Sequence, residues 1–231
     1  SFRGSFRSRI LKLLISSKDK YLFERNKYQN CHQVEKYNHY INDCLKTDFK
    51  AGKLNIKPSL NSSFNYSVPV VGINPGSSYG EAKRWYPEEY AEVCAKLSLQ
   101  YNIVIFGGPG EEDIAVDIEK SLIEKGILNY QNLSGKTSIS ELVNLISNLD
   151  LFITGDSGPM HIAASFQVPT VALFGPTRDD ETAQWMNPKS IIVKKNLDCQ
   201  PCMKRACPLK HHDCMNLIKA ADVLKAVQSL N

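Results

Sequence analysis

Four short apolar runs, interleaved with helix-like segments, constrain this chain more than any other feature. They are Val70-Val71-Gly72-Ile73-Asn74, Asn102 to Phe106, Leu151-Phe152-Ile153-Thr154 and Thr170 to Phe174. Each run is continuous rather than alternating, which is the pattern of a strand covered on both faces. Between them the spacing predicts helices from about Pro87 to Leu99 and from Glu111 to Lys125. An amphipathic segment follows at Ile139 to Asn148, and a short helix after Pro159. Ile191 to Val193 reads as one more strand. Strands alternating with helices make βαβ units, so the expected fold is α/β, a Rossmann-like doubly wound parallel sheet.

The first sixty residues are different. Phe6, Ile10, Leu13 and Leu14 share one helical face with Arg3, Arg7, Arg9 and Lys12 around them, and Val34, Tyr37, Ile41, Cys44 and Leu45 form a second stripe. The Asn/Ser/Pro-rich stretch from Lys53 to Pro69 reads as a linker. Charge divides at the same place. Residues 1–60 hold 13 Lys/Arg against 5 Asp/Glu, or +8; residues 61–231 hold 15 against 19, or −4. Two parts with different partners fit that division. With a net +4 over 231 residues and no RNA or DNA motif, a nucleic-acid partner is not expected.

No apolar run approaches the ~18–20 residues of a spanning helix. Seven cysteines, an odd number, and no apolar leader-like stretch at the start favour a reducing compartment over a disulfide scaffold.

In an open α/β sheet, ligands bind outside the carboxyl ends of the strands, so the loops there carry the argument. The first runs from Asn74 to Trp85: Gly76 lets the backbone approach a ligand, and Lys83 and Arg84 supply positive charge for a phosphate. Its composition equally fits an ordinary solvated loop. The second is Thr154-Gly155-Asp156-Ser157-Gly158-Pro159-Met160-His161. Pro159 suits a first helical turn, leaving N–H groups near Ser157 and Gly158 to cradle an anion. Asp156 is placed to bind sugar hydroxyls, and His161 follows one turn into the helix. The plainer alternative is a helix cap beside a packed histidine. In the third, Gly107-Gly108-Pro109-Gly110-Glu111, Glu111 is a candidate for ribose hydroxyls, although a helix start attracts Glu in any case. The fourth, Phe174-Gly175-Pro176-Thr177-Arg178, ends the last core strand. None of these matches a P-loop or a G-x-G-x-x-G fingerprint.

Cys199-x2-Cys202-x4-Cys207-x6-Cys214 encloses His211 and His212. By spacing it suits either a tetrahedral zinc site or a set of packed, reduced thiols.

Several of these segments resemble one known family. Pro75-Gly-Ser-Ser-Tyr-Gly-Glu-Ala-Lys-Arg-Trp85 is similar to the P-G-A-x-x-G-x-A-K-R-W segment of the lipopolysaccharide heptosyltransferases, glycosyltransferase family 9. Asp156-Ser-Gly-Pro-Met-His-Ile-Ala-Ala164 resembles its D-S-G-x-M-H-x-A-A segment, and Ala172-Leu-Phe-Gly-Pro-Thr177 its A-L-[YF]-G-P-T segment. The A-K-R-W form and the cysteine run favour the type II branch. The resemblance extends in order over residues 70–215.

That resemblance implies a GT-B fold, with residues 1–66 the end of an incomplete acceptor domain and linker. Residues 67–215 would be the nucleotide-sugar domain, and residues 216–231 a terminal helix packing back toward the acceptor domain. It implies an inverting transfer of L-glycero-D-manno-heptose from ADP-heptose to heptosyl-Kdo-lipid A. Lys83 and Asp156 would be the catalytic pair, with Gly76, Arg84, Glu111, Ser157, Gly158 and His161 also binding donor. No cofactor and no metal are expected, so the cysteines read as packing or redox thiols. The family's base, an Asp near its amino terminus, is expected to lie outside a sequence that opens at Ser1. The expected setting is cytoplasmic, peripheral to the inner-membrane leaflet. The alternatives are a related family 9 enzyme with another sugar or acceptor, or a fragment that binds donor without turnover.

Overall fold

The computed structural model describes residues 5–58, 64 and 68–230. Much of the linker expected at Lys53–Pro69, like Arg3, lies outside the described residues. The chain divides into two compact units. The first is built from residues up to Lys53 together with Asp180–Ala183, and the second from Leu54–Asp179 and Gln184 onward.

The first unit holds α1 (Phe6–Leu14) and α2 (Gln33–Leu45). Ser5 caps α1, its Oγ accepting from Ser8 N at 3.3 Å. His32 caps α2 through Nδ1, which accepts from Val34 N, while the Glu35 carboxylate accepts from His32 N at 3.0 Å. Its core is aromatic: Phe23 stacks on Tyr28 and meets Tyr40 edge-on. Tyr28 O–H donates to Asp43 Oδ2 at 2.6 Å, and Lys27 Nζ lies 2.6 Å from the same oxygen. The two predicted stripes do form on helices, and they are largely exposed. Phe6 is 78% and Leu13 81% exposed, and Ile41 and Leu45 are exposed too; α2 buries Lys36, Tyr40 and Asn42 instead. Periodicity finds the helix, but a buried polar group with partners can replace an apolar one on the inner face. Asn42 has such partners, bonding Phe49 O, Phe49 N and Thr47 Oγ1.

The second unit runs β1 (Val70–Asn74), α3 (Pro87–Leu97), β2 (Asn102–Ile105), α4 (Glu112–Glu124), β3 (Tyr130–Asn132) and α5 (Ile139–Ser147). It continues through β4 (Leu151–Gly155), α6 (Gly158–Phe166), β5 (Thr170–Phe174), β6 (Ser190–Lys194), α8 (Asp213–Asn216) and α9 (Ala220–Gln228), while α7 (Asp179–Thr182), between β5 and β6 in the chain, falls in the first unit from Asp180 on. The six strands form one sheet in the order β3-β2-β1-β4-β5-β6, every neighbouring pair parallel. This is the doubly wound arrangement the apolar runs predict. β3, short and polar, was not among the predicted strands.

Strand parity sorts the core. Val71, Ile73, Ile103, Ile105, Ile153, Val171 and Leu173 face Tyr90, Cys94, Ile118, Val223 and Val227 on α3, α4 and α9. Their even-numbered neighbours Val70, Val104, Phe106 and Phe152 pack with Ile146 of α5 and Ala163 of α6 on the opposite face. Trp85 is fully buried, edge-on to Tyr90 with centroids 4.7 Å apart, and its indole N–H donates to Ile218 O at 3.0 Å. Burial pushes the Cys94 thiol up to about 12. The terminal helix expected at 216–231 is α9, and its buried residues Val223, Ala226 and Val227 belong to the second unit's core.

Candidate functional site

β1 is the hinge of the winding: β2 lies on one side of it and β4 on the other. The connections leaving β1 and β4 therefore depart to opposite faces, and a crevice opens at their carboxyl ends. A cavity of about 550 Å3 occupies that crevice.

Three loops build its walls. From β1, Asn74 is buried and the chain passes through Gly76 toward a single tight turn at Glu81–Lys83. Lys83 reaches across the crevice, its Nζ donating to Asp156 Oδ2 at 2.6 Å and to Asp156 O at 3.0 Å. Both side chains are largely buried, at 12% and 7% exposure, so the pair sits in a low-dielectric wall where its charges are felt strongly. From β4, Asp156 and Ser157 lead into α6, with Pro159 in the first turn. Ser157 Oγ lies 3.2 Å from Thr154 Oγ1, and no side chain caps the helix start. From β2, the Gly107–Gly110 turn brings Glu111 inward, where Oε2 accepts from Gly108 N at 2.9 Å. A side chain on Gly76 would run into that carboxylate, so the close approach of the two loops depends on glycine.

The cavity thus brings together Gly76, Lys83, Glu111, Asp156, Ser157, Gly158 and His161, drawn from three loops. Arg84 is not among its lining residues; its guanidinium points to Asp113 of α4, 3.4 Å away. Tyr79 and Leu142 also line the cavity and were not singled out in the sequence. Tyr79 carries no signal beyond standing four residues before Lys83.

A larger cavity, about 800 Å3, lies in the first unit against Arg9, Lys12, Leu22 and Phe23. It collects two cations, the Glu24 carboxylate and an apolar wall. The smaller crevice has the richer chemistry: a buried cation with its carboxylate, a glycine-lined approach and an open helix start suit an anionic, hydroxyl-bearing ligand.

The cysteines from Cys199 to Cys214 are free thiols. Burial, and then the charges of Cys202, Cys199 and Cys207, push the Cys214 thiol up to about 11. Among the described residues no group of three or more His, Cys, Asp or Glu is arranged to hold a metal ion, and no helix is long and apolar enough to cross a membrane.

Residues 16–212 match the model of "Glycosyltransferase family 9 (heptosyltransferase)". The lipooligosaccharide heptosyltransferase 2 of Campylobacter jejuni serotype O:2 is 40% identical over 235 residues, an alignment covering all of this chain and 73% of that protein. The lipopolysaccharide heptosyltransferase 2 of Escherichia coli is 36% identical over 121 residues, covering 52% of this chain and 35% of that one. Among solved structures, E. coli ADP-heptose lipopolysaccharide heptosyltransferase II superposes with a TM-score of 0.62 at 29% identity, covering 74% of this chain and 48% of that chain. A family 9 glycosyltransferase of Veillonella parvula gives a TM-score of 0.72 at 24% identity over 91% of this chain and 62% of its own, a likeness of fold. These alignments thus cover between 35% and 73% of the length of the matched proteins.

Proposed function

The chain belongs to glycosyltransferase family 9, the heptosyltransferases, and from that premise we propose that it moves L-glycero-D-manno-heptose from ADP-heptose to the heptosyl-Kdo-lipid A inner core. One observation carries the assignment of the site. Lys83 and Asp156, 73 residues apart in sequence, meet as a buried pair in the crevice at the sheet's winding point.

In this reading the donor diphosphate lies between Lys83 and the start of α6, near Ser157, Gly158 and His161. The Glu111 carboxylate accepts from the ribose hydroxyls, and Gly76 leaves room for that carboxylate to sit there. Asp156 holds Lys83 and turns its remaining acceptor capacity to the heptose hydroxyls. An acceptor hydroxyl attacks C1 of the heptose, its C–O bond forming as the bond from C1 to the diphosphate oxygen breaks, and its proton passes to a carboxylate base, which the family resemblance places outside this sequence. The configuration at C1 inverts and ADP departs with the bonding electrons. Negative charge grows on the leaving diphosphate, where a fixed ammonium and a helix start stabilise the transition state more than the bound donor. The setting we propose is the cytoplasmic face of the inner membrane, with the basic first sixty residues turned to an acceptor that carries phosphates and carboxylates.

Calorimetric titration with ADP, alongside turnover of ADP-heptose, tests the site. Lys83→Ala removes a charge-assisted contact, and ADP affinity should fall by about 10- to 100-fold, the equivalent of roughly 1.5–3 kcal/mol. Asp156→Asn should lower turnover more than ADP affinity, because ADP lacks the heptose. Wild-type behaviour of both variants would remove the site from this crevice, and preferential turnover of a UDP-sugar would reassign the donor.

A further inference from the structure

Lys83 is held from a second side. Its Nζ stands 4.6 Å from the centroid of the Tyr79 ring, in the same loop. Asp156 occupies two of the three N–H donors of the ammonium. The ring face attracts the charge without consuming the third, which stays available to a ligand oxygen.

Tyr79 is itself fastened. Its phenol donates to Met203 O at 2.7 Å, and Arg205 Cζ lies 5.4 Å from the same ring. The backbone ties these two loops as well: Ala82 N donates to Arg205 O at 3.0 Å. His212 Nε2 donates to Ala82 O at 2.9 Å, while Nδ1 accepts from Tyr86 O–H at 3.1 Å. Gly80, at φ +151°, has a conformation that favours glycine, and any side chain there would run into the Arg205 backbone. The far side of the cysteine-rich stretch is bonded to the end of β5, by Met203 N to Pro176 O at 2.9 Å and Gln200 Nε2 to Gly175 O at 2.7 Å. A continuous set of contacts therefore runs from β5 through the stretch between Cys199 and Cys214 to Tyr79, and from Tyr79 to Lys83.

We propose that Tyr79 is a positioning residue that fixes the Lys83 ammonium, and that the cysteine-rich stretch is the strap that fixes Tyr79. The proposal rests on the reading that Lys83 meets the donor diphosphate. It gives the cysteine-rich stretch a part in donor binding that needs neither a metal nor a disulfide. Without the ring, the long Lys83 side chain regains rotamers that carry its charge away from the diphosphate.

The test is a cycle of ADP titrations on the whole chain: wild type, Tyr79→Leu, Lys83→Ala and the double variant, with Tyr79→Phe as the conservative exchange and thermal midpoints measured for each. With Lys83 present, Tyr79→Leu should weaken ADP binding by about 2- to 30-fold, the range of a cation–ring contact. In the Lys83→Ala background the same change should cost nothing further, and Tyr79→Phe, which keeps the ring but loses the bond to Met203 O, should fall between Tyr79→Leu and wild type, a Phe variant equal to wild type removing the role of the strap. Equal losses in both backgrounds would mean that the ring touches the nucleotide itself, and would overturn the proposal. No loss from Tyr79→Leu with Lys83 present, or a loss that Phe fails to lessen, would overturn it too. If Lys83→Ala itself leaves ADP affinity unchanged, the donor-site reading fails and the proposal with it. A loss on Lys83→Ala with an additive Tyr79→Leu removes the role of Tyr79 alone.

Discussion

A methyl group at position 76 would occupy space that the Glu111 carboxylate now fills. Gly76→Ala should therefore push that carboxylate off its bond to Gly108 N and out of its place in the crevice. We expect ADP affinity to fall about tenfold while the melting temperature moves by only a few degrees, since the loop is at the edge of the core. Calorimetry and a thermal melt on the same sample check both halves. The chemistry of each residue was legible from its type and loop: a lysine, an aspartate at a strand end, a glutamate after a glycine turn. Their meeting was not legible, because contacts between Lys83 and Asp156 or between Gly76 and Glu111 are set by the sheet and leave no local trace. Arg84 shows the converse: it has the right type in the right loop, yet it extends to Asp113.

Among the elements, α9 has a start whose strength depends on acidity. Asp222 Oδ2 accepts from Lys219 N at 2.9 Å and meets Lys195 Nζ at 2.8 Å. The hydrogen bond from Lys195, and then that from the Lys219 backbone, hold this carboxyl below its usual range. A carboxyl whose folded value is depressed stabilises the fold above its unfolded value and loses that contribution as pH falls through the folded one. Asp222→Asn should thus lower stability near neutral pH by up to about 1 kcal/mol, a solvent-screened amount. The gap between variant and wild type should begin to narrow as pH falls below about 4 and close only below the depressed folded value. Melting curves at pH 7 and pH 3.5 would show it. Legibility varied by element for physical reasons. β1, β2, β4 and β5 lie between two helical layers and are apolar at most positions, so their runs stood out. β3, Tyr130-Gln131-Asn132, is a three-residue edge strand with polar side chains, and nothing in its composition marks it. In α1 and α2 the period was right, but which face is buried was not readable from the period.

At the scale of the molecule, the two units differ in how they are held. The second has fully buried residues on both faces of a six-stranded sheet; the first has a small aromatic core and an α1 whose apolar side chains are mostly exposed. Native-state hydrogen exchange should accordingly protect the amides of Val71, Ile153 and Val171 most and those of α1 least. Comparable protection in α1 and β4 would contradict that ranking. The charge divides at residue 60 and the linker-like stretch spans Lys53–Pro69, whereas the units part at Lys53, and neither signal could show that Asp180–Ala183 returns to the first unit. That return has a topological consequence. Within the first unit, the buried Lys36 ammonium lies 2.8 Å from Glu181 Oε2, and His32 Nε2 lies 2.9 Å from Ala183 O. The first unit is a discontinuous domain, stitched from stretches more than a hundred residues apart. Cutting the polypeptide anywhere between Leu54 and Pro69 would leave neither piece owning both ends of that ion pair. Expressed as a fragment, the amino-terminal piece would carry a buried ammonium with its counter-ion on another molecule, a defect of about 3–5 kcal/mol.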